Sequence, residues 1–264
     1  MKLQINFEML DLLKANSEEK WNLLNQVRDV VQSCSKCPNL VISRQLYPYG
    51  KPTFGFGNPN SPVFFIGEAP GKWGCGTTGI PFTKDRSGEY FRKILREELG
   101  LNYEDVWITN AVKCCPLDNR TPEAEERSNC YPYLVLELSI IQPYVIVPLG
   151  FSASKVLFSG VDEFSRIRGR DISSRDHRIS GIRSSHYYTT FPLWHPAFIL
   201  RTPSLEEKYR AEFRMIEKIV NLTMAIAKGE ERNPRLNDPE LDLIPQQEYK
   251  GFGRGLGDDD RDLY

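Results

Sequence analysis

The sequence predicts an α/β protein with three layers, α/β/α: helices on both faces of a central, mostly parallel, four-stranded sheet. Three observations carry this reading. Four short apolar runs, at 63–66, 106–109, 144–149 and 188–193, alternate with stretches of helical periodicity, and that alternation gives a parallel sheet. The first run empties into a glycine-rich loop, 67–88, followed by a helical pattern; such folds build sites in this way at the carboxyl end of the sheet. At 264 residues with 40% hydrophobic content, the chain is long enough to bury a full core.

Taken in order, Ser17 is placed to cap a helix running to Val31, with Glu18 and Glu19 in its first turn and Leu23, Leu24, Val27 and Val31 on one face. A connection rich in Pro, Gly and aromatics, 47–62, leads to the first strand. Residues 89–99 read as a helix stopped by Gly100. The second strand ends at Asn110, and Thr121-Pro122 opens a helix with proline at its first position, running to about Ile141 before Pro143. The buried run 144–149 follows, then a short helix from Ser152. The span 159–186 is arginine-rich and irregular, which reads as a surface excursion. The last strand delivers Trp194-His195, and 205–228 is a long amphipathic helix. Residues 1–228 thus form one domain. The Pro-, Gly- and Asp-rich tail, 229–264, is expected to be disordered or loosely packed.

The formal net charge of −1 conceals an uneven distribution. The tail holds ten acids and five bases, which leaves 29 bases and 25 acids, a net of +4, on residues 1–228. A mildly basic body permits contact with phosphate. No apolar run approaches the ~20 residues of a membrane helix, so no membrane partner is expected. The first twenty residues mix acids through the segment and lack an export pattern, so a reducing cytoplasm is expected.

The loop 67–88 carries Glu68, Phe82 and Asp85. Its G-x-G-x-x-G, at 74–79, neither follows the strand directly nor opens a helix, and Gly71-Lys72 is followed by Trp73, so a nucleotide cofactor is not expected. The loops after Ile66, Thr109 and Leu193 share one crevice in such a sheet, bringing Glu68, Phe82, Asp85, Asn110 and His195 within reach of one ligand. Cys34-x-x-Cys37 lies upstream, and Cys114 and Cys130 lie downstream with fifteen residues between them. Four thiolates satisfy zinc or an iron–sulfur centre, and the spacing leaves both open. Disulfides are the alternative, disfavoured in a reducing compartment. Cys75 and Cys115 are left over, and spacing does not decide between Cys114 and its neighbour.

Five segments in order, Cys34-x-x-Cys37-Pro38, GEAPG at 67–71, 108–114 (ITNAVKC), 130–134 (CYPYL) and 194–197 (WHPA), resemble the iron–sulfur uracil-DNA glycosylases of families 4 and 5. The resemblance covers roughly 34–201. It implies a four-iron, four-sulfur cluster at the side of the sheet, held by Cys34, Cys37, Cys114 and Cys130. It also implies hydrolysis of the N-glycosidic bond of uracil in DNA, leaving an abasic site. Features of the two branches are mixed. GEAPG, 79–82 and Asn110 are similar to family 4, whereas Phe82-Thr83-x-Asp85-Arg86-Ser87-Gly88 and 55–59 are similar to family 5. Lys72-Trp73-Gly74 stands where family 4 places acids, and Asn110 where family 5 places alanine.

On this reading Gly67, Ala69, Phe82 and Asn110 bind the extruded base. Phe82 is the stacking platform and Asn110 pairs with uracil O4 and N3–H. His195 donates to O2 as charge builds on the leaving base, Asp85 positions water or stabilises a cationic sugar, and Glu68 is the second candidate acid. Each has a plainer alternative: core packing for Phe82, a strand-end cap for Asn110, a turn for His195, a helix cap for Asp85. Trp73 is a candidate wall against a C5-methyl group, 198–200 a candidate wedge, and Arg166, Arg168, Arg170 and Arg175 candidate phosphate contacts. Gln246-x-x-Tyr249-x-x-Phe252 faintly resembles a peptide that docks on a sliding clamp. The rival reading is a non-catalytic iron–sulfur module that binds DNA or senses damage.

Overall fold

The computed structural model describes residues 16–158, 160–175, 177–183 and 185–230. The clamp-like peptide and nearly all of the tail lie outside these residues. Helix α1 (Ser17–Gln32) is capped one residue earlier than expected, by Asn16. The Asn16 side chain accepts the Glu19 N–H at 3.0 Å, and the Glu19 carboxylate accepts the Asn16 N–H at 2.9 Å, a reciprocal capping box. The sequence reading missed α2 (Pro38–Gln45), an eight-residue helix with proline at its start. It buries only Leu40 and Ser43, too few apolar positions to give a helical period.

The four expected strands are present as β2 (Val63–Gly67), β3 (Trp107–Asn110), β4 (Val145–Pro148) and β6 (Thr189–Thr190), and all pair in parallel. Two edge strands of two residues each, β1 (Phe56–Gly57) and β5 (Ile172–Ser173), add antiparallel pairs. The sheet is therefore six-stranded, in the order β1-β3-β2-β4-β6-β5. Beyond β6 the last run stays extended, with Leu193 bridging in parallel to Leu149.

Alternation along each strand sorts side chains into two cores. Phe64, Ile66, Trp107 and Ile146 pack with α1 and α5 (Ala124–Ile141). Val63, Phe65, Ile108, Val145 and Val147 pack with α4 (Arg86–Leu99) and α8 (Glu206–Lys228). Pro122 precedes α5 without opening it; Glu123 is its cap. Contrary to expectation, the G-x-G-x-x-G does open a helix, the one-turn α3 (Cys75–Thr78) capped by Gly74, and the expected short helix after β4 is α6 (Phe151–Lys155). The span 159–186 is more than a surface excursion, because Ile167, Ile172 and Ile179 are buried and β5 closes the sheet edge. Among the described residues no helix is long and apolar enough to cross a membrane.

Candidate active site at the carboxyl end of the sheet

From β2 the chain goes to β3 on one side and then to β4 on the other, and the crevice opens where the strand order reverses. Gly67 ends β2 opposite Asn110 at the end of β3. A Cβ on Gly67 would lie 2.4 Å from Asn110 Oδ1 and 2.8 Å from the Phe82 ring, so only glycine lets these two side chains meet over the strand end. Phe82 adopts a left-handed backbone, φ 51°, uncommon for a bulky residue and typical of strained functional positions. The Arg92 guanidinium donates to the Phe82 carbonyl. The Phe82 ring packs on Phe91 at 4.7 Å between centroids and lies 5.6 Å from the His195 ring. Asn110 is buried, its amide nitrogen 3.9 Å from Cys75 Sγ.

Asp85 caps α4 with Oδ1, which accepts from the Gly88 N–H at 2.7 Å and the Ser87 hydroxyl at 2.9 Å. Its other oxygen faces Gly71 and Gly74; a Cβ on Gly74 would fall 2.2 Å from Oδ2. His195 caps α7 (Pro196–Arg201), with Nδ1 accepting the Ala197 N–H at 3.2 Å. That bond places the proton of a neutral ring on Nε2. Burial depresses the His195 pKa to about 4, Asp85 opposing and Arg201 reinforcing the shift. The ring is therefore a neutral N–H donor at pH 7.

Phe82, Asp85, Asn110, His195 and Ala69 line one cleft of about 360 Å³, its open mouth included. Of the residues singled out above as catalytic or base-binding, Gly67 and Glu68 are not among those lining it. Ala69 lines the cleft, and Gly67 borders it through Asn110 and Phe82, the two lining side chains that its Cβ position would meet. Trp73 does not wall the cleft either; it is 71% exposed. Of the expected wedge, Ile199 is buried in the core and Phe198 stacks on Trp194. Arg168 is engaged inside the protein, pairing with Glu212 and lying 3.7 Å above the Trp194 ring. Sequence reasoning missed Cys75 and Ser87, which also line the cleft, and Gly150. Gly150 is in a left-handed conformation, φ 90°, with its Cβ position 3.2 Å from His195 Cβ. The signal for Gly150 is legible afterwards: a glycine immediately beyond a buried strand.

The four candidate cysteine ligands neighbour one another. Cys114 and Cys130 form a small buried cluster with Leu40 and Val112, against which Cys37 and Ala69 pack. Cys34 and Cys37 lie close enough to raise the Cys114 pKa. Ala69 thus touches both the cysteine cluster and the cleft. All six cysteines are unpaired as disulfides. Burial holds the Cys37, Cys114 and Cys130 thiols above their ordinary pKa, Cys130 at about 12. Three N–H donors nevertheless aim at sulfur: Arg44 at Cys114 (3.4 Å), Asn129 at Cys37 (3.5 Å) and the Lys113 backbone at Cys130 (3.5 Å). Such donors suit thiolates bound to iron. Among the described residues no three His, Cys, Asp or Glu side chains converge on a single ion.

Between the cysteines and Asn110 lies a buried ion pair, Lys113 with Glu137, at 2% and 0% side-chain exposure. The Lys113 ammonium donates to Thr109 Oγ1 at 2.6 Å, and the Glu137 carboxylate also accepts from Trp107 Nε1 at 3.0 Å and Thr109 Oγ1 at 3.1 Å. Pairing and hydrogen bonds offset the desolvation that would otherwise expel both charges.

A family profile described as "Uracil DNA glycosylase superfamily" matches residues 54–219. The Type-4 uracil-DNA glycosylase of Sulfurisphaera tokodaii is 32% identical over 200 residues, 74% of this chain and 84% of that protein. The Type-4 uracil-DNA glycosylase of Thermotoga maritima is 35% identical over 185 residues, 70% of this chain and 86% of that protein. The Type-5 uracil-DNA glycosylase of Pyrobaculum aerophilum is 31% identical over 165 residues, 53% of this chain and 71% of that protein.

Proposed function

The chain belongs to the uracil DNA glycosylase superfamily, and on that premise we propose that it excises uracil from DNA by hydrolysing the N-glycosidic bond, the first step of base excision repair. The observation that carries this reading is the convergence of an aromatic face, an amide, a carboxylate oxygen and a neutral imidazole on one cleft. A uracil extruded from the duplex lays its ring on Phe82, a contact worth on the order of 1–3 kcal/mol. The Asn110 amide offers a donor to O4 and an acceptor to N3–H, a pair that cytosine reverses. The bond between N1 of the base and C1′ of the sugar breaks, and its electron pair leaves with the base as negative charge shared with O2. His195 Nε2–H donates to that oxygen, and being neutral it stabilises charge without having to give up its proton. Asp85 Oδ2 steadies the cationic sugar and orients the water whose oxygen bonds to C1′, its proton passing to solvent. Gly67 and Ala69 admit the base by presenting almost no side chain.

Cys34, Cys37, Cys114 and Cys130 would hold a four-iron, four-sulfur cluster. When bound, it joins the 34–37 turn to the strand end and α5, a structural duty; no step in base release needs electron transfer. Comparison with type-4 relatives spans more of the chain than comparison with the type-5 relative, and Asn110 agrees with a strict uracil reader. The decisive assay uses a labelled duplex with one uracil, incubated with protein and then treated with alkali. Cleavage at the uracil only after alkali is the expected result. An intact strand, with DNA still bound, would assign the protein to the non-catalytic reading.

A further inference from the structure

Trp73 is the most exposed large apolar side chain among the described residues, and nothing in the mechanism above uses it. It occupies the apex of a tight turn closed by the Gly74 N–H donating to the Gly71 carbonyl at 3.2 Å. The same carbonyl accepts the Gly76 N–H at 2.8 Å. Two residues to either side of Trp73, Gly71 and Cys75 line the cleft. The turn is pinned from outside as well: the Lys72 N–H donates to Asn119 Oδ1 at 2.8 Å and the Lys72 ammonium lies 3.4 Å from Asp118 Oδ1. Asp118 and Asn119 are themselves left-handed, at φ 52° and 58°, and Leu117 beside them is 49% exposed. The Lys72 ammonium sits 5.4 Å from the centre of the indole, a cation–π contact that steadies the ring.

An exposed indole on a turn whose two ends, Gly71 and Cys75, line the cleft gains free energy by stacking on a flat aromatic surface. When a nucleotide leaves the duplex and enters the cleft, the faces of the flanking bases are the aromatic surface at its mouth. Resting on the glycosylase reading, we infer that Trp73 stacks on the DNA bases beside the extruded nucleotide. Such a contact would act beside the wedge expected of 198–200, of which Ile199 is buried in the core and Phe198 and Leu200 are partly buried. Sequence tolerance follows, because every base offers a π face.

The test compares the wild-type protein with Trp73→Ala and Trp73→Phe. The first probe is a duplex carrying a stable abasic analogue, with 2-aminopurine next to it; the second is a uracil duplex assayed under single turnover. The expected result is a quench of tryptophan emission on binding that Trp73→Phe loses. Trp73→Ala should weaken duplex affinity about tenfold, with phenylalanine in between. Because the side chain is exposed, each variant should keep the wild-type unfolding temperature, and Trp73→Phe guards against a folding artefact. Wild-type affinity in Trp73→Ala, or a quench that survives Trp73→Phe, overturns the inference even if uracil is excised normally, and points to a protein as the occupant of this turn. A protein that excises no uracil but shows the expected quench and affinity loss overturns the glycosylase reading and leaves the stacking contact standing.

Discussion

The two oxygens of Asp85 face different neighbours, and this makes their roles separable. Asparagine retains a side-chain acceptor for the Gly88 N–H and is as good a helix cap as aspartate, so Asp85→Asn should unfold at the wild-type temperature while single-turnover excision falls sharply. Asp85→Ala should lose the rate and in addition about 1 kcal/mol of stability with the cap. Equal rates in wild type and Asp85→Asn would reduce the residue to a cap. His195→Ala should slow single-turnover excision by roughly 10²–10³ with DNA affinity unchanged. Because its pKa lies near 4, the ring does not titrate between pH 5 and 8, so the mutant's pH–rate profile should keep the wild-type shape there. Phe82, Asp85 and His195 each do the plain structural job that sequence alone allowed and line the cleft as well. A one-dimensional reading poses these as alternatives because it does not see that a cap has a second oxygen.

At the scale of elements, the strand ends fix the site. Gly67→Ala should abolish excision and lower the unfolding temperature, since the added methyl displaces the buried Asn110 and Phe82 side chains at the end of β2. Normal excision by this variant would show that the two side chains need not meet. The cysteine arrangement depends on two distant turns and α5. Protein purified without oxygen should be brown and contain iron; Cys114→Ser should lose both, while Cys75→Ser keeps them. Colourless protein with stoichiometric zinc would overturn the cluster. The four central strands were legible because each is a buried apolar run. β1 and β5 were not, since two residues carry no period, and the 159–186 span hid its buried isoleucines among arginines.

At the scale of the whole molecule, all three histidines are held neutral by burial. His177 Nε2 lies 2.7 Å from the Leu157 carbonyl and His186 Nε2 lies 2.8 Å from the Pro143 carbonyl, and desolvation lowers both pKa values as it does for His195. A group whose pKa is depressed on folding stabilises the native state fully above its unfolded value of 6.5, and that stability drains away as pH falls toward the folded value. The unfolding temperature should therefore drop from pH 7 to pH 5, before most carboxylates protonate, and substituting His177 with glutamine should flatten the slope. An unfolding temperature constant over that range would contradict the burial of these rings. The site itself is drawn from residues as far apart as Ala69 and His195, on strands that pair out of chain order. During synthesis, then, Phe82, Asp85 and Asn110 emerge well before the segment that carries the imidazole. A chain ending short of β6 lacks both the imidazole and α8, which packs one face of the sheet, so it cannot complete the site. Competence for base release therefore arrives late, with the docking of the last strand.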